Sequence, residues 1–209
     1  MRFESIIWDW NGTLLNDVHI AIESINQLLY DRKLIPLDLE RYLEVFTFPV
    51  QDYYELIGFD LKNEPFEIPA TQFISIYNIA VEACGLHDEV IPLLNRLHDR
   101  GCRQFILSAM EQQQLEKTVN NNGISSFFED LCGLSDHYAK SKVENGKSLI
   151  LERGLNPERT LLIGDTIHDY DVALAIGCSC VLVAQGHQSK ERLINSGAVV
   201  FDRLDDILF

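Results

Sequence analysis

Short apolar runs, each closed by a polar turn and separated by helix-like periodicity, constrain this chain more than any other feature. The clearest are Ser5-Ile6-Ile7-Trp8, Gln104-Phe105-Ile106-Leu107-Ser108, Thr160-Leu161-Leu162-Ile163-Gly164-Asp165 and Cys180-Val181-Leu182-Val183. Strands without polar alternation are buried on both faces, the mark of a parallel sheet covered by helices on each side. The segments between them agree. Pro92 suits a first helical turn, Leu93, Leu94 and Leu97 supply an apolar face, and Gly101 ends that helix. Further helices are predicted near residues 111–122, 143–153 and 169–176, with short strands near 131–134 and 199–201.

Residues 17–84 break this rhythm. Val18, Ile22, Ile25, Leu28 and Leu29 recur at helical spacing, and Pro36, Pro49, Pro65 and Pro69 then divide the segment. Short helices are predicted near 38–45, 50–57 and 70–84. The block has the position of an all-helical domain inserted after the first strand.

Three strands end in a polar residue followed by a turn: Asp9, Ser108 and Asp165. In a parallel sheet such ends lie on one edge, where open α/β folds place their chemistry. Each has a plainer explanation. Asn11-Gly12 after Asp9 is a strong hairpin former, Ser108 a favoured helix N-cap, and Asp165 an ordinary turn residue. Their joint occurrence favours a site, with Asp9 displayed as a nucleophile.

The formal net charge is −15, from 32 acidic and 17 basic residues, and no Lys/Arg run offsets it. Such a surface repels phosphate backbones, so nucleic acid is not an expected partner. No uninterrupted apolar stretch approaches the ~20 residues needed to cross a bilayer, and Met1-Arg2-Phe3-Glu4 lacks the features of a secretory leader. Cys84, Cys102, Cys132, Cys178 and Cys180 include no CxxC pair. A cytoplasmic protein with reduced, structural thiols is expected.

Taken in order, Asp9-Trp10-Asn11-Gly12-Thr13-Leu14, Ile106-Leu107-Ser108, a lysine near 142, and Gly164-Asp165 with Asp169 resemble the motifs of haloacid dehalogenase superfamily hydrolases. The resemblance is to the phosphoglycolate-phosphatase-like branch and covers nearly the whole chain. It implies a Rossmann-like α/β core, residues 1–15 and 85–209, and a helical cap, residues 16–84. It also implies a Mg²⁺-dependent phosphatase acting on a small phosphorylated metabolite. Asp9 would attack phosphorus, with the cation relieving the repulsion between two anions. The implied metal ligands are Asp9, the backbone carbonyl of Asn11, and Asp165, with Asp169 reaching the cation through water or orienting Asp165. Asp169 also suits a plain helix N-terminal acid. Ser108 and the Ala109 amide would bind phosphoryl oxygens. Lys142 is favoured over Lys140 and Lys147 as the phosphate-binding lysine by its Ser-Lys context, whereas Lys140 gives the commoner spacing to Asp165.

The chain departs from this family at Asn11, where most of its phosphatases carry a second aspartate that acts as general acid and base. Three explanations stand: a leaving group that needs no proton, such as that of an acyl phosphate; a substitute acid or base, for which His19 and His168 are the nearest candidates; or a catalytically silent phospho-ligand binder. Thr47, Phe48 and Tyr53 are candidate substrate contacts in the cap, or else part of its core.

Overall fold

The computed structural model describes residues 3–134 and 142–207. A six-stranded sheet forms the centre, in the order β3-β2-β1-β4-β5-β6, with every adjacent pair parallel. The strands are β1 (Ser5–Trp8), β2 (Arg103–Glu111), β3 (Asp130–Leu134), β4 (Thr160–Gly164), β5 (Ser179–Val183) and β6 (Val199–Phe201). Since β1 pairs with β2 and β4, both parallel, Asn11-Gly12 is not the tip of a hairpin.

The period-2 geometry of strands sends neighbouring side chains to opposite faces. Ile6 and Trp8, Ile106, and Leu161 and Ile163 join one apolar cluster, while Ile7, Phe105, Leu107 and Leu162 join the other. Both clusters are closed by helices, which is why the strands read as unbroken apolar runs. On the second face lie α7 (Lys142–Glu152) and α8 (Ile167–Ile176), through Leu149, Val172, Ala173 and Ile176. The first face receives α1 (Val18–Asp31), α2 (Leu39–Val45), α3 (Val50–Leu56), α4 (Glu67–Val81), α5 (Val90–Asp99) and α6 (Gln112–Asn121). The short α9 (Lys190–Asn195) precedes β6.

The apolar cluster of the first face continues from Trp8 and Trp10 through Ile25 and Leu29 to Tyr42 and Tyr54. Helices α1–α4 therefore share their packing with the sheet face. α4 begins at Glu67, earlier than the spacing predicts, because Pro69 is tolerated within a first turn. β2 extends past Ser108 to Glu111, and its pairing with β3 shifts register between Leu107 and Glu111. The N-cap of α6 is Glu111, whose side chain accepts from the Gln114 amide at 3.0 Å. Ser108 is thus not a helix cap.

Cys84, Cys102, Cys132, Cys178 and Cys180 form no disulfide. Burial pushes the thiols of Cys84 and Cys132 up to about 12, and those of Cys102 and Cys178 to about 11, so they stay protonated near neutral pH. No helix among the described residues is long and apolar enough to cross a membrane.

Candidate active site

Asp9 follows the last residue of β1, and Asp165 the last residue of β4, on the same edge of the sheet. The turn after Asp9 is held by Trp10. Its carbonyl accepts the amides of Leu14 (3.0 Å) and Leu15 (2.9 Å), and its fully buried indole donates to Thr118 Oγ1 at 3.0 Å. Gly12, at φ +73°, takes the left-handed conformation this turn requires. A Cβ there would run into the Asp165 carboxylate and the His187 ring, so a side chain would push the loop off the site.

Asp9, Asp165 and Asp169 are all buried and offer carboxylate oxygens within 4.8 Å of one another. Lys142, 5% exposed at the start of α7, donates from Nζ to Asp9 Oδ1 and, at 2.6 Å, to Asp169 Oδ1. The other Asp169 oxygen accepts the Thr166 amide (3.0 Å) and hydroxyl (2.7 Å), capping α8. Both oxygens of Asp169 are therefore committed, and the residue anchors the lysine. Burial would raise Asp169, but the adjacent Lys142 outweighs it and holds the carboxyl below its usual range. Lys142 is likewise held above its usual range, because Asp169 and Asp9 outweigh burial.

Asp9 and Asp165 differ from Asp169. Burial, only partly offset by Lys142, pushes Asp9 well above the ordinary carboxylate range. Burial also pushes Asp165 up to about 6, against His187 and with Asp169. Asp165 accepts Thr13 Oγ1 at 2.8 Å and the His187 amide at 2.6 Å. Two buried carboxylates short of positive charge, with oxygen donors only, fit a hard divalent cation.

A second network adjoins this one. Asp17 accepts from the Gly12 amide (2.7 Å), from Asn11 Nδ2 (3.1 Å) and from the Tyr77 hydroxyl. The His187 ring lies with Nε2 3.4 Å from Asp17 Oδ1 and Nδ1 2.8 Å from the Tyr42 hydroxyl. Burial would lower His187, but Asp17 and the carboxylates beyond it raise the imidazole to about 9. Asp17 is held below its usual range: its partners, His187 first, outweigh burial.

The residues expected from sequence divide as follows. Asp9, Asn11, Ala109, Lys142 and Asp169 line one cavity of about 230 Å³ between the sheet edge and helices α1–α4. Ser108 is fully buried beside it, accepting the Met110 amide at 3.0 Å and facing Asn11 Oδ1 at 3.4 Å. His168 and Phe48 line the cavity and stack on each other, ring centroids 4.7 Å apart. Burial holds His168 below its usual range. His19 is exposed on the outward face of α1 and lies outside the cavity lining, as do Thr47 and the buried Tyr53. Lys147 is exposed, and Lys140 lies outside the described residues.

The motifs do not reach Asp17, Tyr77 or His187, and they include Thr13 without giving it a role. His187 lies in the loop after β5, four residues past Val183, so a search of the loops at this edge of the sheet, rather than of strand ends alone, reaches it. Tyr77 carries no such signal, since a tyrosine on an amphipathic helix reads as packing.

Known proteins resemble this chain along most of its length. It is 22% identical over 191 residues to the phosphoglycolate phosphatase of Synechococcus elongatus, covering 91% of this chain and 88% of the relative. It is 31% identical over 183 residues to the tyrosine-protein kinase PtkA of Mycobacterium tuberculosis, covering 87% of this chain and 62% of the relative. The crystal structure of a predicted phosphoglycolate phosphatase from Haemophilus somnus superposes with a TM-score of 0.78 at 21% identity, covering 99% and 96% of the two chains. The family profile described as haloacid dehalogenase-like hydrolase matches residues 6–183, and the chain belongs to that family.

Proposed function

We propose that this protein is a Mg²⁺-dependent phosphatase that hydrolyses a small organic phosphate through an aspartyl-phosphate on Asp9. The observation that carries this is the buried set of Asp9, Asp165 and Asp169, with Lys142 bridging two of its members. Asp9 and Asp165 are the residues to hold the cation, joined by the Asn11 carbonyl. Mg²⁺ bound there would neutralise the meeting of carboxylate and phosphate. Two unit charges 4 Å apart repel by about 4 kcal/mol at an effective dielectric of 20.

The chain's own residues then divide the work. Lys142 keeps Asp9 oriented, opposes the burial that raises its carboxyl, and presents positive charge to an incoming phosphoryl group. Asp169 fixes Lys142 from below. Ser108 and the Ala109 amide lie on the β2 side, where phosphoryl oxygens would be received. Helices α1–α4 act as a cap over residues 1–15 and 85–209, excluding water from the cavity.

Asn11 favours a second reading, a phospho-ligand binder without turnover, because an amide cannot pass protons near neutral pH. One experiment separates the two. Orthophosphate release from a phosphomonoester panel is measured with Mg²⁺ and with chelator, for the wild type and Asp9→Asn. Mg²⁺-dependent release abolished in Asp9→Asn supports the phosphatase. Tight Mg²⁺-dependent trapping of beryllium fluoride with no release from any ester supports the binder.

A further inference from the structure

We infer that the cavity over Asp9 takes an aryl phosphate, whose ring carries no charged substituent, and rejects esters that carry a second anion. This rests on the phosphatase reading and adds the substrate class to it. Walls, charge and proton supply point the same way.

The walls are aromatic and apolar, built by Tyr42, Phe46, Phe48, Phe73, Tyr77 and Met110. Phe46 and Phe48 meet edge to face at 5.5 Å, and Phe73 stacks on Tyr77 at 5.4 Å, so ring faces and edges are fixed before a ligand arrives. Such surfaces favour a planar apolar guest.

Charge in the cavity is already paired. Among the described residues that line it, Lys142 is the only lysine or arginine, and its ammonium is held by Asp9 and Asp169. His187 is engaged by Asp17 and Tyr42. The remaining charged lining residues, Asp17 and Glu111, are acidic. A carboxylate or second phosphate on the leaving group would be desolvated against apolar walls and, among the described residues, would meet no unpaired lysine or arginine.

Proton supply beside Asp9 is also restricted: His187 is engaged by Asp17 and Tyr42, and His168 is stacked on Phe48 with its imidazole held below the usual range by burial. Asn11 lines the cavity beside Asp9, and its amide nitrogen is occupied by Asp17 and Tyr77 (2.7 Å). Asp17 only accepts, from Gly12, Asn11 and Tyr77. A leaving group that departs as an anion therefore suits this site best. Phenols ionise near pKa ~10, far below water at about 15.7, and aliphatic alcohols lie close to water.

The steps balance with water as the only co-reactant. A bond forms between an Asp9 oxygen and phosphorus while the phosphorus–aryl oxygen bond breaks. The electron pair leaves with the phenolate, which takes a proton from solvent. Water then adds to phosphorus, the Asp9–phosphorus link opens to restore the carboxylate, and the water protons pass to orthophosphate and solvent.

The test is a Mg²⁺-loaded wild-type assay of orthophosphate release from phenyl phosphate, benzyl phosphate, 2-phosphoglycolate, pyrophosphate and acetyl phosphate. Benzyl phosphate keeps the ring but must leave as an alkoxide, so it separates ring recognition from proton demand. Phenyl phosphate is expected to exceed benzyl phosphate in kcat by at least about tenfold at similar KM. Phenyl phosphate is also expected to exceed 2-phosphoglycolate and pyrophosphate in kcat/KM by at least about tenfold. Equal efficiency on 2-phosphoglycolate or pyrophosphate, equal kcat on benzyl phosphate, or hydrolysis of acetyl phosphate alone overturns the aryl assignment and leaves the phosphatase standing. Release from none of the five overturns both.

Discussion

The Tyr42 hydroxyl lies 2.8 Å from His187 Nδ1, joining α2 to the loop after β5 across 145 residues of sequence. This bond ties the helical block to the edge of the sheet where the carboxylates collect. It also bears on Asp165 indirectly, because the His187 amide donates to that carboxylate at 2.6 Å. Substituting Tyr42→Phe removes one buried hydrogen bond and keeps the ring packing with Phe46 and Tyr53. The expected cost is about 1 kcal/mol, read as a lower urea midpoint at unchanged m. An unshifted midpoint means the bond contributes nothing net.

His187 makes stability depend on pH. Its imidazole sits at about 9 in the folded protein, above its ordinary value of 6.5, because Asp17 outweighs burial. A raised folded value means the folded state binds the proton more tightly. The contribution is complete below about 6.5 and disappears as pH rises through about 9. At roughly 1.4 kcal/mol for each tenfold change in proton affinity, it amounts to a few kcal/mol at most. Chelator-treated protein is therefore expected to lose stability between pH 6.5 and 9, and His187→Gln to flatten that decline. Parallel curves for both proteins would place the titration elsewhere.

A bound cation should reverse a different pH dependence. Asp165 is raised to about 6 without a cation, so the chelated protein loses that contribution as pH rises from about 4 through 6. Mg²⁺ prefers the ionised form, and its binding is expected to strengthen over the same interval. At a hundredfold excess over Kd, a ligand of the folded state alone adds about 2.7 kcal/mol. Thermal unfolding with and without Mg²⁺ at pH 5 and pH 7.5 reads this directly. Asp165→Asn should abolish the Mg²⁺-induced rise, and retention of the full rise would remove Asp165 from the ligand set.

Much of this architecture is legible in the chain because parallel strands must be apolar on both faces. Ile6, Ile7 and Trp8 point alternately into two separate clusters, so these three positions are apolar and the first charged side chain comes at Asp9. Strand ends point to Asp9 and Asp165 for that reason, local context points to Lys142, and the fold brings all three together. Local pattern fails where geometry depends on packing. For Asp169 the helix-acid reading holds, since it caps α8, but its second task of holding Lys142 is not legible, because it depends on the capping position also facing the lysine. Tyr77 looks like core and His19 like a site neighbour; one turn of helix phase decides that Tyr77 reaches Asp17 and His19 faces solvent.

Asn11 donates its side-chain amide to Asp17 Oδ2 at 3.1 Å and to the Tyr77 hydroxyl at 2.7 Å. Replacing it by aspartate sets a second carboxyl against Asp17, which is already held in its ionised form by several donors. Like charges so close cannot both ionise freely, and the new group, lacking those donors, takes the raised value. A carboxyl kept protonated near neutral pH is what an alkoxide leaving group needs. Asn11→Asp is thus expected to raise kcat on benzyl phosphate by at least about tenfold, while phenyl phosphate, whose leaving group departs unprotonated, gains much less. The same substitution should lower the urea midpoint at pH 8 more than at pH 5, since ionising the added carboxyl brings the repulsion with it. Equal gains on both esters would show that the introduced carboxyl acts on the attacking water, and no gain on either that the amide was never limiting.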